Sequence, residues 1–218
     1  MLINFKRYFN LRIFLLIVVC IILFPLSIFS QSQSDELSVY YPLKVGNVWV
    51  YRGMLPEETE TYEVIEYVEK HKAYLIENIK KGGIMGDFTA YELIQNQKNK
   101  VLRLARGNSS IGLKFLYPAE VVLQSQFKEG KAWNVSNTND GRMTCKILGF
   151  VNLKVAAGDF KDVCKIECAI YLRDKKGKKE KLFGRTYSYF APSVGLIKEE
   201  SGSSILKELL EYKIAAEQ

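Results

Sequence analysis

His71 is the chain's only histidine, so any site that needs two imidazoles is excluded. It sits between Lys70 and Lys72 in a stretch with turn character, where a solvated ring is expected. Ser204-Ile205-Leu206-Lys207 satisfies S-x-x-K, but the SDN-like and KTG partners of that machinery are missing, so the match reads as coincidence. There is no GxSxG, HExxH, phosphate-cradling glycine loop or calcium loop. Glu57, Glu58 and Glu60 cluster in an expected loop, where water would leave them at ordinary acid strength. The chemistry-bearing residues therefore point away from catalysis, and neither a metal nor another cofactor is expected.

The cysteines need more thought. Beyond the N-terminal thirty residues only Cys145, Cys164 and Cys168 remain. In Val163–Leu172 (VCKIECAIYL) Cys164, Ile166, Cys168, Ile170 and Leu172 alternate with Lys165 and Glu167, a strand period that turns both cysteines inward. Four residues along a strand separate their Cα atoms by roughly 13 Å, beyond disulfide reach. Cys145 alone could close a bridge, with Cys168 or with Cys164; buried free thiols acting as small apolar side chains are an equal alternative. With no CxxC and no histidine partner, a thiol nucleophile is not expected.

The elements that would hold these residues are strands. Val45–Tyr51, Tyr62–Val68, Ala73–Ile79, Phe88–Gln95, Val101–Ala105, Trp133–Val135, Met143–Val151, Phe160–Leu172, Leu182–Phe190 and Val194–Lys198 are rich in β-branched and aromatic residues. Short polar connections such as Lys81-Gly82-Gly83 and Asn139-Asp140-Gly141 divide them. About ten strands at near-regular spacing predict a mainly β fold, one curved antiparallel sheet with little helix. Pro118–Phe127 is open between loop and helical turn. In Ser204–Ala216 the stripe Ile205, Leu206, Leu209, Leu210, Ile214 slightly favours a helix.

Composition bounds the function class. Of 31 Lys and Arg, three (Lys6, Arg7, Arg12) lie in residues 1–30 without an acid, so the remainder carries 28 − 24 = +4. That excess is too small for a dedicated nucleic-acid binder. Ile13–Phe24 is an uncharged apolar run ended by Pro25 and followed by Ser27-Ile28-Phe29-Ser30, the layout of a secretory signal. Cleavage is favoured over an uncleaved anchor through residues 13–29, and bulky Val19 before Cys20 argues against a lipid-attachment site. The expected organisation is a signal or anchor over 1–30, a polar tether over 31–37 and one β domain over 38–218, working outside the cytoplasm.

Two patterns suggest contacts with partners. Leu43-Lys44-Val45-Gly46-Asn47-Val48-Trp49 and Phe127-Lys128-Glu129-Gly130-Lys131-Ala132-Trp133 share the form apolar–Lys–x–Gly–x–x–Trp. Each tryptophan is expected to begin a strand and plug the sheet core; the alternative places both beside a ligand. On that alternative Trp49, Tyr51, Trp133, Tyr187 and Tyr189 are the candidate ligand contacts. Arg173–Lys181 carries six basic and two acidic residues around Gly177 and reads as a hairpin tip. It is either a solvated loop or, through Lys175, Lys176, Lys178, Lys179 and Lys181, a contact for an anionic membrane surface.

Tyr41-Pro42-Leu43-Lys44-Val45-Gly46-Asn47-Val48-Trp49-Val50-Tyr51 resembles the YFPL-x-x-G-x-x-W-x-Y opening of an uncharacterised family of bacterial extracytoplasmic β proteins. The family's later G-x-x-W, V-PAG-x-F and YYAPGVG-x-[IV]-K landmarks correspond to Gly130–Trp133, Val155–Phe160 and Tyr189–Lys198, with Ala156 and Ser193 departing from the pattern. The resemblance implies a curved antiparallel sheet related to the half-barrels of periplasmic lipoprotein carriers. It also implies a strand, not a helix, for the tail, and it transfers no catalytic residue. Three functions follow in order: a non-enzymatic protein holding a lipid, acyl chain or other apolar ligand on the concave face; an envelope adaptor acting through a cell-envelope protein; and a hydrolase with dispersed residues.

Overall fold

The alternating runs pair into one antiparallel meander. In the computed structural model, which describes residues 36–84, 86–174 and 179–216, a short helix α1 (Glu36–Tyr40) precedes twelve strands. These are β1 (Val48–Arg52), β2 (Thr59–Val68), β3 (Ala73–Lys81), β4 (Phe88–Gln97), β5 (Lys100–Asn108) and β6 (Gly112–Gln124). Then follow β7 (Ala132–Thr138), β8 (Gly141–Val155), β9 (Gly158–Arg173), β10 (Glu180–Ala191), β11 (Gly195–Ser201) and β12 (Ser204–Lys213). The order across the sheet is β6-β5-β4-β3-β2-β1-β12-β11-β10-β9-β8-β7, so chain neighbours are sheet neighbours except where β12 closes on β1.

Nine of the eleven strand pairs carry a register shift, and such bulges bend and twist a sheet. The result is nearly a closed barrel whose two edges, β6 and β7, face each other. The Trp133 indole on β7 donates across that seam to the Val121 carbonyl on β6, 3.1 Å. Inside lie the fully buried Val64, Ile94, Val101, Leu123, Ile147, Ile166, Ile197 and Leu209.

Twelve strands replace the ten expected, and the two additions are β6 and β12. Pro118 sits in β6 after a cis Tyr117–Pro118 bond, tolerable because β6 is an edge and one face of its backbone needs no partner. β12 corrects the helical reading of the tail. Its ladder skips Leu210 opposite Val50/Tyr51 and Leu206 opposite Glu199/Glu200. Two bulges four residues apart shift the period-2 phase twice and imitate a helical stripe.

The polar tether expected over 31–37 gives way to helix at residue 36, and Leu37 is buried in the core. The signal or anchor segment and residues 31–35 lie outside the described residues. Among the described residues no helix is long and apolar enough to cross a membrane.

Candidate functional site: a two-walled cavity inside the barrel

The family-like landmarks prove to be fold-forming. The Gly46 turn (φ +89°) leads to Asn47, which is fully buried, donates to the Pro42 carbonyl at 3.1 Å and accepts from the Ala215 amide at 2.9 Å. The Trp49 indole donates to the Val194 carbonyl at 2.6 Å and the Tyr51 hydroxyl to the Leu196 carbonyl at 2.8 Å. Gly195 beside them has φ +97°, a left-handed backbone that favours glycine, and lies in ordinary contact distance of Pro42 and Trp49. The opening and closing motifs are therefore clasped together through the barrel interior. Trp133 does the corresponding job at the seam.

Between these clasps lies a cavity of about 350 Å³. Trp49 and Tyr51 line it, with their polar atoms committed to the backbone. Trp133 is buried at the seam and is not part of the lining. Tyr187 and Tyr189 are not part of it either: the neighbouring Ser188 and Phe190 point inward, so alternation puts both tyrosines on the outer face. There the Tyr187 hydroxyl donates to Glu167 at 3.1 Å and the Tyr189 hydroxyl to Glu200 at 2.6 Å, while the Lys165 ammonium lies 5.1 Å and 5.2 Å from the two rings. Of the tip lysines, Lys179 and Lys181 are exposed, and Lys175, Lys176 and Lys178 lie outside the described residues.

One wall of the cavity, from β7 to β10, is apolar: Val135, Met143, Ile166, Phe190 and the Cys145–Cys168 disulfide. The two cysteines face each other directly in the β8–β9 register. Cys164 is free and buried, and burial pushes its thiol pKa up to about 12. Such a thiol is an inert core group.

The opposite wall, from β2 to β6 with β11 and β12, carries the cavity's ionic groups, set among Ile76, Val122 and Leu196. Arg103 on β5 binds Glu120 on β6 at 2.7 Å and lies 3.2 Å from Glu92 on β4, although its Nε has no well-aligned acceptor. Burial works against the Arg103 charge, but Glu92, Tyr41 and Glu120 together carry its pKa above the ordinary value.

Glu58 and Glu60 are not solvated loop acids; both are buried, because Glu60 shares the inward phase of β2 with Tyr62 and Val64. Glu60 is reached by Lys207 at 2.8 Å, by Lys80 at 3.0 Å and by the Tyr62 hydroxyl at 3.1 Å, and Lys80 also pairs with Glu58. Burial opposes its charge, yet the ammonium groups of Lys207 and Lys80 hold the Glu60 carboxyl below its usual range.

A few polar groups of the lining stay uncommitted. Among the described residues, the side chains of Tyr41, Ser188 and Glu199 have no hydrogen bond or ion pair. Burial, with a contribution from Glu92, raises the Tyr41 pKa to about 12. Burial likewise raises the Glu199 carboxyl above its ordinary value, with nearby Lys207 acting in the opposite direction. Arg106 makes only a 3.8 Å approach to Glu120.

The arrangement does not assemble an activated nucleophile. Ser188 has no imidazole beside it, since His71 packs on Phe115, 5.0 Å between rings, and Phe115 is not part of the lining. In the S-x-x-K coincidence Ser204 is exposed at the start of β12, while Lys207 is engaged by Glu60 and Tyr62. Among the described residues no group of metal-ligating side chains is present.

Sequence reasoning missed Tyr41, Tyr62, Glu92, Arg103, Glu120, Glu199 and Lys207 as interior groups. The available signal was phase: Glu60, Tyr62 and Val64 alternate together, as do Glu92 with Ile94 and Lys207 with Leu209.

No family model matches the chain, and no curated protein matches it. Two solved structures are similar. A protein of Bacteroides fragilis described as exported, with a YmcC-like fold, has 9% identity and a TM-score of 0.51 over 81% of this chain and 99% of its own. A Parabacteroides distasonis protein described as a lipoprotein has 18% identity and a TM-score of 0.43 over 80% of this chain and 98% of its own. At such identity the likeness to the Bacteroides protein is one of fold.

Proposed function

We propose that this is an extracytoplasmic, non-enzymatic protein that holds a small amphiphilic ligand, a lipid or acyl chain, inside its barrel. The observation that carries this reading is the cavity of about 350 Å³ with an apolar wall facing an ionic one. That volume is at the small end of the range for ligand sites, which suits a single chain. Its ionisable groups are mostly tied to one another, and among the described residues no acid, base and nucleophile are poised together. The secretory layout of residues 1–30 and the exported description of the Bacteroides fold neighbour support a place outside the cytoplasm.

The ligand's source is an anionic membrane surface. The β9–β10 tip supports this, since Lys179 and Lys181 are exposed beside the exposed Leu172 and Phe183. A second reading, an envelope adaptor, draws on the unpaired edge of β6, where Leu113, Phe115 and Tyr117 are 39%, 43% and 89% exposed.

Native mass spectrometry of the full-length protein purified from an envelope fraction tests the proposal. Wild type should carry an apolar adduct that leaves on unfolding. Ser188→Phe, which fills the cavity from β10, should carry none. Equal adducts on both, or none on wild type together with no uptake of added amphiphiles, would contradict it.

A further inference from the structure

We infer that the head group of the cavity's ligand is uncharged and hydroxylated, as in a monoacylglycerol. This rests on the ligand-binding reading above and narrows it. The lining carries three carboxylates, Glu92, Glu120 and Glu199, against three cations, Arg103, Arg106 and Lys207, a formal sum of zero. Glu92, Glu120 and Arg103 are already engaged in ion pairs within the lining, and Lys207 is engaged by Glu60, which is not part of it. A carboxylate head entering such a site can meet only the loosely held Arg106 and must sit with the unpaired Glu199, and an ammonium head can meet only Glu199 and must sit with Arg106. The desolvation of either charge is then poorly compensated.

The groups left over are of another kind. The Tyr41 and Ser188 hydroxyls and the loosely held Arg106 guanidinium can donate, and Glu199 can accept. Glu199 pairs directly with Lys207 in the β11–β12 register, and Lys207 and Arg103 both act electrostatically on Glu199 and on Tyr41. The spare acceptor and one of the spare donors thus share the neighbourhood of the ionic wall. A diol head, each of whose hydroxyls both donates and accepts, satisfies such a set with no net charge. The acyl chain then lies against Met143, Ile166, Phe190 and the disulfide.

The test is calorimetric titration of the full-length protein, stripped of bound lipid, with 1-monolaurin, laurate and dodecylamine at neutral pH below their micelle concentrations. These share one chain length and differ in head charge. Monolaurin should bind at least about tenfold more tightly than either charged analogue. Glu199→Gln should shift the laurate-to-amine affinity ratio about tenfold toward laurate, and Arg106→Gln should shift it about as far toward the amine. Circular dichroism checks that both variants keep their strands. Laurate or dodecylamine binding wild type as tightly as monolaurin overturns the head-group assignment and leaves the cavity reading standing. Ratios unmoved in both variants also overturn it, since the head would then lie elsewhere. Binding of none of the three overturns the ligand-binding reading itself.

Discussion

The two walls of the cavity are made from the same backbone and opposite chemistry. On β7–β10 every inward position beside the cavity except Ser188 is apolar or disulfide-bonded, and Ile166 in the lining and Ile147, which is not part of it, are almost wholly buried. On β2–β6, β11 and β12 the inward phase alternates between apolar residues such as Val64, Ile76 and Ile94 and charged ones such as Glu60, Glu92 and Lys207. Apolar burial contributes about 25 cal/mol per Å², and both sides of the barrel supply it, the second through the fully buried Val64, Ile94, Val101, Leu123, Ile197 and Leu209. A buried ion-pair network barely offsets its own desolvation and is poor at raising stability. Its place on one side only is consistent with the proposed polar head beside an apolar chain.

The contrast can be broken in graded steps. Trp133→Ala should have the largest effect, a loss of about 3–5 kcal/mol in urea unfolding, because it removes packing from the apolar side and the hydrogen bond across the seam. A loss under about 1 kcal/mol would mean that the seam is held elsewhere. Next, Cys145→Ser with Cys168→Ser opens a loop with a sequence separation of 23 and should cost about 3 kcal/mol under oxidising conditions. The variant and wild type should converge when a reductant is added.

The ionic wall should give smaller effects of opposite sign for two of its acids. The folded-state pKa of Glu60 lies below its ordinary 4.5, so its contribution is present above that value and lost as pH falls through the depressed one. Glu60→Gln should therefore cost about 1 kcal/mol at neutral pH, a deficit that shrinks in acid. The pKa of Glu199 lies above its ordinary 4.5, so the folded state loses stability as pH rises from that value through the raised one. Glu199→Gln should be slightly more stable than wild type at neutral pH and equal to it in acid. Urea titrations at several pH values check both, and parallel pH profiles would refute the assignment. Smallest of all, Tyr187→Ala on the outer face should cost about 0.5–1 kcal/mol through its lost contact with Lys165 and leave ligand uptake unchanged.

Much of this was legible from alternation alone. Ten of the strands, the inward cysteines and the tryptophan plugs follow from period-2 patterning and glycine turns. β6 and β12 did not, because an edge proline and a pair of bulges break the period that defines a strand. The ionic wall stayed hidden for a different reason. A charge at an inward phase becomes visible as buried only once its partner is known, and the partners of Glu60 on β2 come from Lys80 on β3 and Lys207 on β12. Tyr187 and Tyr189, named as candidate ligand contacts, lie outside the cavity lining, since the inward phase on β10 belongs to Ser188 and Phe190.

The most direct test of the central claim is the fluorescence of the neutral dye N-phenyl-1-naphthylamine titrated into full-length wild type and Ser188→Phe. A saturable, one-to-one enhancement in wild type that monolaurin displaces and Ser188→Phe abolishes is the predicted result. Identical enhancement in both proteins, or enhancement that monolaurin leaves untouched, would place the apolar site outside the barrel and contradict the account.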